Sequence, residues 1–276
     1  VISALSGADK VFKALELGAL DFVVKPCGTA SVDLLSIKDD LRQKVLQIVA
    51  LKPRGISALP PAKTTVATFT GSSPAFGRIA GEIKHSIDIV AIGASTGGPP
   101  ALQQIFSSFE HKYPFAVVVS QHMPSGFTKA FADRLDRSSP FDIKEAEDGD
   151  PVLPGSILIA PGGKNMVFEM YGCQIVARIM EPTKTDRYVP SIDVMFESCA
   201  GIYRKRAAAV ILTGMGNDGS QGIRHIKAQG GYVIAESEES SVVYGMPREA
   251  AATGLVDRIV PLHCVSNEII SLGGFA

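Results

Sequence analysis

Three residues that together could make a nucleophile are spread along this chain: Ser95, His122 and Asp218. A serine hydroxyl is a weak nucleophile at neutral pH. It needs an imidazole to take its proton and a carboxylate to fix the imidazole tautomer and stabilise the imidazolium. Ser95 carries the strongest local signal, because Gly93 and Gly97 flank it at the G-x-S-x-G spacing within IDIVAIGASTGGPP, residues 87–100. Small neighbours let the backbone turn sharply and let a reacting carbonyl come close, and the amides of such a turn suit a developing negative charge. The turn lacks the dinucleotide pattern G-x-G-x-x-G, since Ser95 stands in place of the second glycine, and no Gly-Lys-Ser/Thr follows to make a P-loop. A turn used only for packing or phosphate binding has the same local pattern. Taken alone, His122 also fits a core histidine bonded to a carbonyl, and Asp218 fits a cap on the helix after Gly219.

The elements that must position these groups give the three residues more weight. Residues 87–92 form an apolar, β-branched run that reads as a buried parallel strand, and a helix follows the prolines. Residues 115–120 form a second such strand, which ends at Gln121 and His122. Residues 207–212 form a third, followed by TGMGNDG with Asp218. In open α/β sheets ligands bind at the carboxyl ends of strands, and all three residues fall at such ends. His263 is the rival imidazole and would give the order Ser95, Asp218, His263 of the α/β-hydrolases. His122 is preferred because it ends the strand next in sequence to that of Ser95. His85, in or near a linker, His111, after a helix and before a turn, and His225, inside a helix, fit less well.

Other segments complete the reading. Helices are expected over 127–135, 192–203 (capped by Ser191, with Asp193 in its first turn) and 221–228, after Pro247 and at the C-terminus. Strands are expected over 156–160, 232–235 and 257–260. Alternating residues 166–170 and 174–179 around Tyr171-Gly172 predict an antiparallel hairpin. The fold class is therefore α/β, a doubly wound and mostly parallel sheet with an inserted hairpin.

Composition narrows the function classes. The 276 residues carry a formal net charge of −1 and 46% hydrophobic residues. No global field favours nucleic acid or anionic lipid, and there is ample material for a core. No apolar run reaches the ~20 residues of a membrane helix, and no signal peptide is visible, so the chain reads as cytoplasmic and not membrane-inserted. The four cysteines, Cys27, Cys173, Cys199 and Cys264, lie far apart without a C-x-x-C pair, which argues against zinc or a disulfide framework.

Residues 1–51 form a separate β-α-β-α unit: strands over 1–5 and 20–25, a helix over 9–17, and a long amphipathic helix over 31–51 capped by Ser31. About fifty residues with two strands is too little for an independent core. The chain begins without methionine inside an expected strand, which implies an upstream segment. Residues 52–86, rich in Pro, Ser, Thr and Gly without periodicity, read as a linker, leaving 87–276 as the main domain.

SAL-x-x-G…AL-x-x-GA-x-DF-x-x-KP in residues 1–51 resembles the C-terminal part of a response-regulator receiver domain, which implies a partial flavodoxin-like fragment. The resemblance places the family's phosphoryl-contacting hydroxyl and ammonium on Ser3 and Lys25, with a cis Lys25–Pro26 bond. The family's phosphorylated Asp and acidic metal-binding pair do not occur here, so a sensor histidine kinase becomes a partner only when the full receiver is present.

IVAIGASTGGPPAL, SQHMPSGFTKAFADRL, KEAEDGDPVLPGSILIAPGG, PSIDVMFES, ILTGMGNDGSQG and VVYGMPREAAATG together resemble the catalytic domain of the CheB methylesterase family, over roughly 87–262. The resemblance implies a protein-glutamate methylesterase that also deamidates glutamine, without metal or organic cofactor. Its substrate would be the cytoplasmic domain of a chemoreceptor. It puts the nucleophile on Ser95, the base on His122 and the aspartate on Asp218. It associates Met215 with oxyanion stabilisation and Thr96 with a hydroxyl beside the histidine. Arg187, Tyr188 and the 181–190 loop are candidates for receptor recognition. The family often has a histidine where this chain has Asn165, which alters the rim of the site. An unphosphorylated receiver covers the active site in this family, so residues 1–51 are expected to supply part of that contact. Two other readings remain: a different serine hydrolase using His263, and a non-catalytic module whose turn binds an anion.

Overall fold

The computed structural model describes residues 1–3, 8–25, 38, 41–42, 44–46 and 87–274. The linker expected over 52–86, Pro26, Cys27 and most of the long helix expected over 31–51 lie outside the described residues.

The main sheet grows from apolar segments too short and too β-branched to prefer helix. Strands β3 (Ile89–Ala94), β4 (Ala116–Gln121) and β9 (Ala207–Ile211) are buried at every position. Side chains alternate across a strand, so each of these strands feeds two cores. Val90, Ile92, Val117, Val119 and Val210 face one hydrophobic cluster, and Ile89, Ala91, Val118, Ala209 and Ile211 face the other. On the first side lie α2 (Gly98–Ser107), α3 (Thr128–Asp136) and α7 (Leu262–Leu272), and on the second α4 (Ile192–Tyr203), α5 (Gly222–Ala228) and α6 (Met246–Ala252).

The sheet has seven strands in the order β11-β10-β9-β3-β4-β6-β5, all pairs parallel. From β3 the chain passes through β4 to the edge strand β5 (Asp142–Glu145) and comes back to lay β6 (Ser156–Ile159) between β4 and β5. It then returns to lay β9 on the other side of β3, followed by β10 (Tyr232–Glu236) and β11 (Arg258–Val260). Winding reverses between β3 and β9, and in open α/β sheets ligands bind outside the strand carboxyl ends at such a switch point. The expected hairpin is present as β7 (Asn165–Tyr171) and β8 (Gln174–Met180), but as its own two-stranded antiparallel sheet. It packs on α4, where the Ser198 hydroxyl meets both the N–H and the carbonyl of Phe168. Strand β5 was not expected from the sequence: it is an edge strand, DIKE, with only Ile143 buried, so it lacks the apolar run of an inner strand.

The N-terminal unit contributes β1 (Ile2–Ser3), α1 (Ala8–Glu16) and β2 (Val23–Val24), with β1 and β2 parallel. Ser3 and Lys25 close these strands, and Lys25 N–H donates to the Ser3 carbonyl at 2.7 Å. The unit rests on α3. Phe12 stacks on Phe131 at 5.5 Å, Phe22 lies 4.8 Å from Phe127, and Glu16 pairs with Arg134.

Gly93 ties the sheet to the start of α4. A side chain there would run into Ile192, so β3 and the α4 N-terminus are in direct contact. Gly93→Ala is expected to cost about 1–3 kcal/mol through overpacking, read as a lower urea midpoint; an unchanged midpoint would contradict this packing.

Candidate active site

The segments after β3, β4 and β9 each deliver one group. β3 ends at Ser95, whose N–H donates to the Thr213 carbonyl at 3.1 Å. The chain turns back through Gly97, at φ 81°, into α2 with Pro99 and Pro100 in its first turn, where missing N–H groups cost nothing. Among the described residues Arg204 is the sole non-glycine with positive φ. The left-handed position of this turn is thus taken by Gly97 rather than by the serine, unlike the strained nucleophile elbow. Gly214 lies beneath Ser95, and a side chain on it would meet the serine Cβ and N.

The three groups come together. His122 Nδ1 lies 3.2 Å from Ser95 Oγ, and His122 Nε2 lies 2.8 Å from Asp218 Oδ2. With the carboxylate accepting from Nε2–H, Nδ1 is the basic nitrogen and faces the hydroxyl. His263, by contrast, is exposed at the start of α7, beyond the edge strand β11.

Asp218 is 2% exposed and well satisfied. Besides His122 it accepts from the N–H of Ile192 (2.8 Å), Asp193 (3.0 Å) and Gly219 (3.1 Å) and from the Ser191 hydroxyl (3.4 Å). It therefore sits at the N-terminus of α4, where Ser191 Oγ also accepts from Val194 N–H. The helix after Gly219 takes its cap from elsewhere: Asp193 Oδ1 accepts from Gln221 N–H (3.0 Å) and Gly222 N–H (2.6 Å). The two aspartates exchange helix ends. Burial opposes the charge on Asp218, but the hydrogen bond and charge of His122 and the α4 amides outweigh it and hold its carboxyl below the ordinary value. Burial pushes Asp193 up to about 6 against the pull of the Gly222 N–H, and the Asp218 charge adds to the rise.

Gln121, Thr213 and Glu236 support the site although the sequence did not single them out. Gln121, 1% exposed, donates through Nε2 to the carbonyls of Ser95 (2.9 Å) and His122 (3.0 Å), so one amide fixes the backbone of both residues. Its signal was a lone amide ending the apolar run AVVVS. The Thr213 hydroxyl donates to the Thr96 carbonyl at 2.9 Å, and Thr213 N–H donates to buried Glu236 at 2.7 Å. Burial raises Glu236 above its ordinary value against the pull of the Thr213 N–H and the Ser240 hydroxyl. Tyr188 stacks on His122 with ring centroids 5.0 Å apart and planes 6° from parallel, and the Arg187 guanidinium lies over Tyr188 at 5.3 Å.

Thr96 follows Ser95 in the chain, and Met215 follows Gly214, which lies against Ser95. Among the described residues neither backbone N–H meets a protein acceptor. The Thr96 side chain, however, turns to the N-terminal unit, and its hydroxyl donates to Asp21 Oδ2 at 2.5 Å.

The chain matches the CheB methylesterase family model over residues 90–269. It is 49% identical to the "Protein-glutamate methylesterase/protein-glutamine glutaminase 3" of Geobacter sulfurreducens, over 99% of this chain and 77% of that protein. The chain belongs to the CheB methylesterase family. A Myxococcus xanthus protein of this family, "Protein-glutamate methylesterase/protein-glutamine glutaminase 1", is 43% identical over 99% of this chain and 74% of its own length. The fold resembles the crystal structure of the Thermotoga maritima CheB methylesterase catalytic domain, with a TM-score of 0.66 and 41% identity over 68% of this chain and 99% of that one. The chain thus spans about three quarters of its curated CheB relatives.

The raised Asp193 carboxyl sets a pH dependence. Its proton is held more tightly folded than unfolded, so its contribution to stability is full below about 4, the ordinary carboxylate range, and is lost as pH rises through about 6. Wild type should therefore lose stability relative to Asp193→Asn between pH 4 and 6.5 in chemical denaturation. A constant difference across that window would contradict the assignment.

Proposed function

We propose that this chain is a serine hydrolase that demethylates glutamate γ-methyl esters and deamidates glutamines on the cytoplasmic domains of chemoreceptors. Family membership supports the reaction class. The observation that carries the mechanism is the hydrogen-bonded chain from Ser95 Oγ through His122 to Asp218.

In this reading Ser95 Oγ attacks the ester carbonyl while His122 Nδ1 takes the hydroxyl proton. Asp218 accepts from Nε2–H and stabilises the imidazolium. The oxyanion is received by the N–H groups of Thr96 and Met215, which meet no protein acceptor among the described residues, beside the N-terminus of α2. The imidazolium gives its proton to the departing methoxide, and methanol leaves. Water then enters, His122 takes its proton, and hydrolysis of the acyl-serine gives glutamate and restores Ser95. A glutamine amide follows the same path and releases ammonia. Every proton and charge in this cycle is handled by a named side chain or backbone amide, so the reading assigns no cofactor.

The chemoreceptor as partner and the cytoplasm as location belong to this proposal. Among the described residues no helix is long and apolar enough to cross a membrane. Residues 1–51 are read as the end of a receiver domain, with Ser3 and Lys25 at its strand ends, 52–86 as linker and 87–276 as the catalytic domain. Asp21 supports a regulatory role for the first unit, because it binds the residue next to the nucleophile.

Methanol release from a methylated receptor cytoplasmic fragment tests the reading. It is expected from this chain and should vanish in Ser95→Ala; equal release by both proteins would remove Ser95 from the mechanism. Asp21→Ala, which frees the Thr96 hydroxyl, should raise the rate several-fold. An unchanged rate would show that this contact does not restrain the site.

A further inference from the structure

The loop between β8 and α4 is held as a unit by one buried side chain. Asn165, 4% exposed, donates through Nδ2 to Asp186 Oδ2 at 2.7 Å and accepts at Oδ1 from Ser191 N–H at 2.8 Å. Asp186 in turn accepts from the Thr183 N–H (3.0 Å) and hydroxyl (2.7 Å). Both flanks of residues 187–190 are thereby fixed to the start of β7. The far flank, Ser191, is also the cap of α4 and touches Asp218.

What this clamped loop presents is Tyr188. Its ring lies nearly parallel to the His122 imidazole, at 5.0 Å and 6°. Its hydroxyl end sits against Gly216, at φ 91°, where any side chain would collide with it. The position of the tyrosine is therefore set from three directions: by Asn165, by Gly216 and by the imidazole itself. His122 keeps only 14% of its side chain exposed.

An aromatic face interacts differently with the two states of an imidazole. It packs against the neutral ring, and its quadrupole attracts the imidazolium more strongly. In the reaction the imidazolium forms as Ser95 gives up its proton, so a base that starts neutral gains the added attraction on the way to the transition state. A parallel ring also resists tilting of the imidazole, which keeps Nδ1 aimed at Ser95 Oγ.

We propose that Tyr188 is a positioning residue for the hydrolytic reaction, its ring holding the plane of His122 and stabilising the imidazolium formed as Ser95 attacks. This rests on the reading of His122 as general base. It assigns Tyr188 a role inside the reaction, apart from any contact with a receptor.

The test uses a fluorophosphonate, whose phosphorus is attacked by an activated serine with loss of fluoride while the base takes the hydroxyl proton, so no receptor is needed. Wild type is expected to label on Ser95, located by peptide mapping. Tyr188→Leu, which keeps bulk but removes the aromatic face, should lower the limiting labelling rate roughly three- to tenfold, with little change in half-saturating probe concentration or thermal midpoint. Tyr188→Phe keeps the face and should recover the rate to within about twofold of wild type. Labelling by the leucine variant at the wild-type rate would overturn the proposal. A phenylalanine variant as slow as the leucine variant would also overturn it, by showing that the hydroxyl acts and not the ring. No labelling of wild type at Ser95 would overturn it together with the triad reading. Normal labelling without methanol release from receptor would count against the substrate alone and leave Tyr188 to be decided by the variants.

Discussion

The site depends on one buried carboxylate making bonds of two kinds at once. Asp218 accepts from the backbone at the start of α4 and from the imidazole of His122. A buried carboxylate without partners would lose its charge, because burial alone raises its pKa. The hydrogen bond and charge of His122, together with the helix amides, keep Asp218 ionised, and an ionised Asp218 can hold Nε2–H and stabilise an imidazolium. The bonds that anchor the helix therefore also help maintain the charge that the chemistry uses.

Much of the surrounding structure follows from this requirement. α4 must start where β9 ends, so Ile192 is pressed against Gly93 and Gly219, at which no side chain fits. The loop carrying Asp218 must stay in place, and Asp193, in the first turn of α4, holds its far end by accepting from Gln221 and Gly222. On the other side of β3, Gln121 ties the Ser95 and His122 carbonyls to one amide. Ser95 stands between two braced loops, with its own N–H donated to Thr213. The N-terminal unit reaches this arrangement at its margin, through Asp21 on Thr96.

The parts legible in the sequence are those written in short-range pattern. The inner strands, the Gly-rich turn, the Ser191 cap and the Tyr171-Gly172 hairpin each announce themselves within a few residues, and so does the placing of Ser95, His122 and Asp218 at strand ends. Strand β5 was not legible, because a charged edge strand has no periodicity to separate it from a loop. The partner of Asp218 was not legible either. As the residue before Gly219 it resembles a cap for the next helix, whereas the fold gives it the N-terminus of α4, 26 residues earlier in sequence. Thr96 shows the same limit. The family resemblance associates its hydroxyl with the histidine, while its hydrogen bond goes to Asp21, 75 residues away. Such pairings come from the topology of the sheet and leave no local trace. Asn165, which the resemblance marked only for the rim of the site, joins two flanks of a loop.

The central claim is that His122 carries its proton on Nε2, toward Asp218, and offers Nδ1 to Ser95. Nitrogen-15 NMR of histidine-labelled protein at a pH where His122 is neutral, with the signal assigned by its loss in His122→Gln, reads the tautomer directly. The account predicts a protonated Nε2 and a bare Nδ1 in wild type, with that preference weakened in Asp218→Ala. A proton on Nδ1 in wild type would contradict it, since the nitrogen facing the serine could not then serve as its base.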